Sequence, residues 1–519
     1  RTTYGYDVMD RLTSVIDSQG KTTSISYDKA GRKTGLTDPD AGAWTYTYHN
    51  DGLLHEQTDP RGIKTTLAYD GAGRIDSKSY TENGNPLGSI DFVYDGTPDA
   101  YLDGVGMPDG FPVGQLTKVV DDFGIQRLFS YDERGRVSKE RWRIASPATC
   151  TSQTNCFDVD RTYDSLDRVE NLTYPDGEVV GHTYDGQGLP LKVGTSGDFL
   201  WNATYNAAGL PTLIEHPNGL KVTPEYGSDL RLTRIRNTQP STKLIDYTYT
   251  YDRAGNIATV ADATISPTQT ASYTYDQASR LLGVTGLSET IRYGYSPNGN
   301  LVSKLEGPSA MSYMLYESSR PHAVTTAYAN DGLHTFTYDT AGNMLSEKKD
   351  GVDRQLFTYD ANGRVQTADF DGSGGLDTNT YTYDFAGDLV TKKPSGSQGT
   401  VYIGGIYEKN LDSGQVTKYY YANGRRIAMK QGTATNFITT DHLGGTSLLT
   451  TAGAPAALVG RVRYYPFGAV RTQEGTVLTD KLFTGQQRES SNNIYHYGAR
   501  FYNAEIGRFI SADVVVPGP

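Results

Sequence analysis

Several large protein classes are excluded by what the chain lacks. No stretch approaches the roughly 18 consecutive apolar residues of a membrane-spanning helix, so no membrane span is expected. No run rich in Lys or Arg occurs and the formal net charge is −12, whereas a phosphate backbone wants a basic stripe; nucleic acid is not an expected partner. There are two cysteines, Cys150 and Cys156, in "SPATCTSQTNCFD". Two thiols with no nearby His make a poor zinc site. They read as a small disulfide loop in an oxidising compartment, or as two free thiols, and in either case as a structural feature. Aliphatic residues are too sparse for a large dry core, with a mean hydropathy of −0.53. Arg1 leads directly into "TTYGYDVMDRL" with no initiator Met or signal peptide, so the sequence reads as an internal fragment and is silent on secretion.

Tyrosine and glycine are abundant instead: 39 Tyr against 15 Phe, and 58 Gly in 519 residues. A length of 519 residues suggests several domains or a repeat array, and self-similarity decides for the array. The unit reads "SYDKAGRKTGL" at Tyr27, "AYDGAGRIDSK" at Tyr69, "SYDERGRVSKE" at Tyr131, "TYDRAGNIATV" at Tyr251 and "TYDANGRVQTA" at Tyr359, with further copies at Tyr163, Tyr338 and Tyr383. Degenerate copies bring the total to some sixteen, and Tyr6, Tyr27, Tyr48 and Tyr69 are spaced by 21.

Twenty-one residues cannot hold a strand and a crossover helix, which need about 30, but they hold two strands and two turns. Asp-x-x-Gly-Arg makes the first turn, since Asp can cap its own backbone and Gly can take positive φ. Pro-Asp/Asn-Gly-type stretches such as "YPDG" and "HPNG" make many of the second turns. Alternating runs such as "LIDYTYTYD" have the period of two of a sheet with unlike faces. The Tyr rings are expected to pack with their hydroxyls left wet. Each unit is then a hairpin that is not stable alone. Hairpins side by side give one long antiparallel sheet, and accumulated twist coils it on itself around an unfilled middle.

The "YDxxGR" units resemble the tyrosine-aspartate repeats of the Rhs/YD-repeat family, which includes bacterial Rhs polymorphic toxins, the C subunits of insecticidal Tc toxins and the shell of eukaryotic teneurins. The resemblance covers nearly the whole chain. It implies an all-β fold in which hairpin repeats spiral into a hollow cocoon. From about Val401 the run "YIGGIYEKN", "TTDHLGGTSLLT", "RYYPFGAVR" and "IYHYGARFYNAEIGRFISAD" resembles the Rhs-associated core domain that plugs the cocoon. The expected division is therefore a shell over 1–400 and a core domain over 401–519, truncated before its cleavage motif.

In many members of the family the core domain is an aspartyl autoprotease that cuts just after a downstream Asp-Pro-x-Gly, releasing a C-terminal toxin inside the shell. The resemblance places the catalytic Arg at Arg500, in "GARFY", and the first Asp at Asp513, in "SAD". Two carboxylates sharing a proton can act as base and acid toward water on a peptide bond. Only one is present here: Asp513 is followed by Val rather than the family's frequent Pro, and no Asp-Pro-x-Gly follows. The plainer alternative is a structural Arg500–Asp513 ion pair, and the fragment as it stands is expected to be inactive.

A second candidate is "ADFDGSGGLDTNTY", where Asp369, Asp371, Ser373 and Asp377 stand at positions 1, 3, 5 and 9 of an EF-hand-like loop. Position 12 is Thr380 rather than Glu, so the stretch reads as a Gly/Asp-rich hairpin tip that could hold calcium. No cofactor is required. The "DHLGGTS" stretch holds Asp441, His442 and Ser447, but adjacent Asp and His cannot easily form a hydrolase relay and no Gly-x-Ser-x-Gly elbow exists, so it is read as a turn.

The expected function is thus a bacterial, secreted or cell-surface shell that encapsulates its own C-terminal effector, partnered by secretion-system or upstream delivery components. The alternative is an extracellular adhesion or recognition module without cargo or proteolysis, and a third reading is a calcium-stabilised structural protein.

Overall fold

The computed structural model describes residues 1–96, 110–144, 155–195, 198–239, 242–307, 311–373, 378–489 and 493–513. Among them are 46 strands and one short 3-10 turn, with no α-helix. Forty-two strands form one continuous antiparallel sheet, in which each strand pairs with its neighbours in sequence. Four more form a small separate sheet: Gln487–Glu489, Ile494–Tyr497, Arg500–Asn503 and Arg508–Phe509.

The repeat chemistry explains the hairpins atom by atom. Between strands Thr22–Tyr27 and Lys33–Asp38, Asp28 Oδ1 accepts the amides of Ala30 and Arg32, both at 2.9 Å. Asp28 Oδ2 takes Arg32 Nε at 2.6 Å. The same guanidinium donates to the His49 carbonyl at 3.1 Å and lies 4.8 Å from the ring of Tyr48, in the next unit. Gly31 takes φ +85°, a conformation that disfavours any side chain.

The tyrosine hydroxyls are not left wet. Tyr27 donates to the Leu12 carbonyl at 2.9 Å, Tyr48 to Lys33 at 2.7 Å and Tyr69 to Leu54 at 2.8 Å, each reaching 15 residues back. Tyr131, Tyr184, Tyr205, Tyr316 and Tyr359 repeat the bond at the same spacing. Each hydroxyl ties a unit to the hairpin before it, which is the physical reason for Tyr rather than Phe. Alternation and period describe a strand but not a bond to its neighbour, and so the sequence reading missed it.

The sheet coils. Lys21 Nζ donates to the Ser318 carbonyl, 297 residues on, and Arg61 Nη1 to that of Asp360, 299 on. Further along, Arg127 meets Asp384 across 257 residues, Tyr174 meets Tyr419 across 245, Asn218 meets Thr450 across 232 and Tyr465 meets Glu289 across 176. These bonds join successive coils, and the falling separation shows the spiral tightening toward its C-terminal end. The apolar core is distributed along the seam between coils: Trp142, Phe157, Val193 and Trp201 of the first coil pack against Val401, Ile403, Tyr420 and Phe437 of the second.

The small sheet packs onto the later strands. Lys304 Nζ donates to the Ala504 carbonyl at 2.7 Å, Tyr381 donates to Glu489 at 3.0 Å, and its ring meets Phe501 edge-on at 5.3 Å. The large sheet passes residue 400 without a break, through Thr400–Ile403 and on to Val470–Gly475, so the change of sequence character near Val401 is not a break in the sheet. Cys156 opens strand Cys156–Tyr163 and is disulfide-bonded; Cys150, the only other cysteine, lies outside the described residues. Among the described residues no helix is long and apolar enough to cross a membrane.

Candidate functional site

The structure brings Arg500 and Asp513 together. Arg500 opens the third strand of the small sheet, opposite Tyr497, and its guanidinium lies 4.1 Å from the ring of Phe509 on the neighbouring strand. Its Nη2 stands 3.1 Å from Asp513 Oδ2. Asp513 is 54% exposed and Arg500 29%, so the pair is wetted and is a weak contributor to stability as such.

Two cavities flank the pair. One, of about 650 Å³, is lined by Arg500, Asp513, Arg508, Asp38, Asp40 and His322 among others. The other, of about 390 Å³, shares Arg500 and Ser511–Asp513 and adds Asp59, Arg61 and Arg364. The other carboxylates of the larger cavity are committed. Asp38 Oδ1 accepts the amides of Asp40 and Ala41, both at 2.9 Å, and its Oδ2 the Thr23 hydroxyl at 2.5 Å. Asp40 Oδ2 lies 2.6 Å from His322 Nδ1 and its Oδ1 accepts the His322 amide at 3.0 Å. The hydrogen bond to Asp40 raises the His322 pKa above its ordinary value, with Asp17, 3.4 Å from Nε2, adding to it.

An ionised carboxylate oriented by a guanidinium can serve as a general base, but a shared-proton dyad needs a second carboxylate not already spent on a turn. Asp38, Asp40 and His322 were not singled out from sequence. "TDPDAG" was legible as a turn, yet nothing local shows that it meets a histidine 282 residues away.

Of the calcium candidates, Asp369 ends strand Val365–Asp369 opposite Thr378, and its Oδ1 accepts the amides of Asp371 and Gly372 at 3.0 and 2.9 Å. Asp371 Oδ1 accepts the Ser373 amide at 2.9 Å, and the Ser373 side chain, then its amide, hold the Asp371 carboxyl below its usual range. Asp377 lies outside the described residues. Among the described residues no three His, Cys, Asp or Glu side chains are grouped so as to hold a metal ion. In "DHLGGTS", Asp441 Oδ1 accepts the amides of Leu443 and Gly445 at 2.9 and 2.8 Å, the repeat's turn again.

Comparison with known proteins agrees with the fold. Residues 245–516, just over half of the chain, match the teneurin YD-shell family, and residues 6–43 and 48–86 match the RHS repeat. Toxin subunit YenC1 of Yersinia entomophaga is 26% identical over 425 residues, covering 67% of this chain and 43% of that protein. Double-stranded DNA deaminase toxin A of Burkholderia cenocepacia is 22% identical over 596 residues, covering 97% and 38%. The chain thus spans less than half the length of these relatives. Among solved structures, a Tc holotoxin pore of Photorhabdus luminescens superposes with a TM-score of 0.80 at 17% identity, covering 99% of this chain and 28% of that one. A crystal structure of TcdB2-TccC3-TEV gives a TM-score of 0.81 at 18% identity, covering 99% and 28%. Repeat chemistry, coiled sheet and family match converge: the chain belongs to the Rhs/YD-repeat family of YD-shell proteins.

Proposed function

We propose that this chain is the shell portion of an effector protein: a hollow β-spiral that encloses a C-terminal toxin, with a self-cleaving aspartyl site at its plugged end. The observation that carries the reading is the meeting of Arg500 and Asp513 at 3.1 Å beside a cavity of about 650 Å³. Enclosure keeps a partly folded toxin from aggregation and from targets in the producing cell, and cutting inside the shell frees the cargo covalently while leaving it caged. The second carboxylate would come from chain following Asp513. The Tc toxin relatives support a secreted or cell-surface protein of bacterial origin that works with delivery components.

The test is denaturing intact-mass analysis of the protein made from the complete gene, wild type beside Asp513→Asn. Two pieces in the wild type and one in the variant are expected. A single uncut chain in both refutes self-cleavage and moves the weight to a cargo-free adhesion module.

A further inference from the structure

The segment that carries Asp513 is bonded both within its own small sheet and to the large one. The Ile510 amide donates to the Phe501 carbonyl at 2.9 Å, within the small sheet, while the Ile510 carbonyl accepts the Met344 amide at 2.8 Å, at the end of a second-coil turn. Gly342 in that turn has φ +83°; a Cβ there would stand 2.5 Å from the Asp40 carbonyl oxygen and 3.1 Å from Ala512 Cβ. Residues 40 and 512 therefore crowd the same side of residue 342, and only glycine fits there.

The first-coil turn is fastened to that place by several bonds. His322 takes both carboxylate oxygens of Asp40, through its ring and its amide. Arg320 donates to the Asp40 carbonyl at 3.2 Å and to the Asp339 carbonyl, bridging the two turns. Thr340 Oγ1 donates to the Pro60 carbonyl at 2.8 Å. First-coil residues such as Asp40 and Asp59 line the cavities beside Ala512 and Asp513, so that part of their wall exists only once residues 38–62 have stacked on residues 318–343.

We propose that Asp40, His322 and Gly342 are positioning residues for the Arg500–Asp513 pair, so that self-cleavage waits on the first coil closing against the second. This rests on the self-cleavage reading above. The device orders two events: the cargo is cut loose only after the wall beside the cut has been completed. Displacing a reacting group by about 1 Å costs roughly 100-fold in rate, so a loosened wall is enough to delay the step.

The experiment follows cleavage of the complete gene product over time by intact mass in wild type, His322→Ala, His322→Gln and Gly342→Val, with hydrogen exchange at the Met344 amide as a second readout. Gly342→Val adds bulk where backbones already touch, and His322→Ala removes it, so the two variants fail to fold for different reasons if they fail. Cleavage about tenfold slower or more in His322→Ala and Gly342→Val, partly restored in His322→Gln, with faster Met344 exchange in step, is expected. Wild-type cleavage rates in both variants despite faster Met344 exchange overturn this inference and leave self-cleavage intact. An uncut wild type overturns both.

Discussion

Tyr174 offers a measure of how dry the seam between coils is. Its side chain is 2% exposed, its hydroxyl donates to the Tyr419 carbonyl at 2.8 Å across the seam, and its ring lies 5.6 Å from that of Tyr420. Burial accordingly pushes its pKa well above the ordinary value. Around it Lys418 pairs with Asp176 at 2.6 Å and Glu178 at 2.5 Å, and Tyr420 donates to Glu178 at 2.7 Å. Tyr174→Phe keeps the ring and removes one donor from a carbonyl that water cannot reach, which costs about 1–3 kcal/mol. Tyr184→Phe is the control, because Tyr184 makes the same bond, at 2.7 Å to Val169, within one coil and only partly buried. Water replaces that bond, so a loss of about 0.5–1 kcal/mol is expected. Native-state hydrogen exchange on strand Val416–Ala422 reads the difference directly. Tyr174→Phe should speed exchange there by about 5- to 150-fold, at 1.4 kcal/mol per factor of ten, while Tyr184→Phe leaves that strand unchanged. Equal effects in the two variants, or less than about a twofold change for Tyr174→Phe, refute the reasoning and make the seam a wet contact.

Two further outcomes concern the turns. In Asp28 and Asp70 the amide of the Arg four residues on, together with its guanidinium, holds the carboxyl below its ordinary value. The folded value is lower than the unfolded one near 3.9, so this stabilisation is fully present above about pH 4 and is lost as pH falls through the folded value. The melting temperature, followed by circular dichroism, should therefore drop below about pH 4; no drop down to pH 3 sinks the account of the repeat turns. At the 369–377 loop, Asp369 Oδ1 and Asp371 Oδ1 are already spent on turn amides, so a chelator should leave the melting temperature unchanged. A chelator-induced drop that disappears in Asp371→Ala would instead establish calcium there.

Much of the candidate site was legible residue by residue. Arg500 and Asp513 stood in matched motifs, and the structure brings them to 3.1 Å. Asp40, His322 and Gly342 were illegible, because each looks locally like any other turn or strand residue and acquires its role from a partner 170 to 302 residues distant in the chain. The Asp-x-x-Gly-Arg turn was read correctly as a turn; its second function, a guanidinium reaching the next unit's Tyr and carbonyl, was not.

The sequence by itself determined the hairpin, its turns, its repeat length and the antiparallel pairing of neighbours. Those depend on contacts within one or two units, where the Asp-to-amide and Asp-to-Arg bonds recur at fixed offsets and periodicity reports them. Only the tertiary structure decided which hairpin lies above which. The separation between stacked coils drifts from 299 residues at Arg61 to 176 at Tyr465, because each hairpin's twist and length alter the circumference of the coil. A drifting separation leaves no period in the sequence, and the seam, the cavities and the wall beside Asp513 all depend on it.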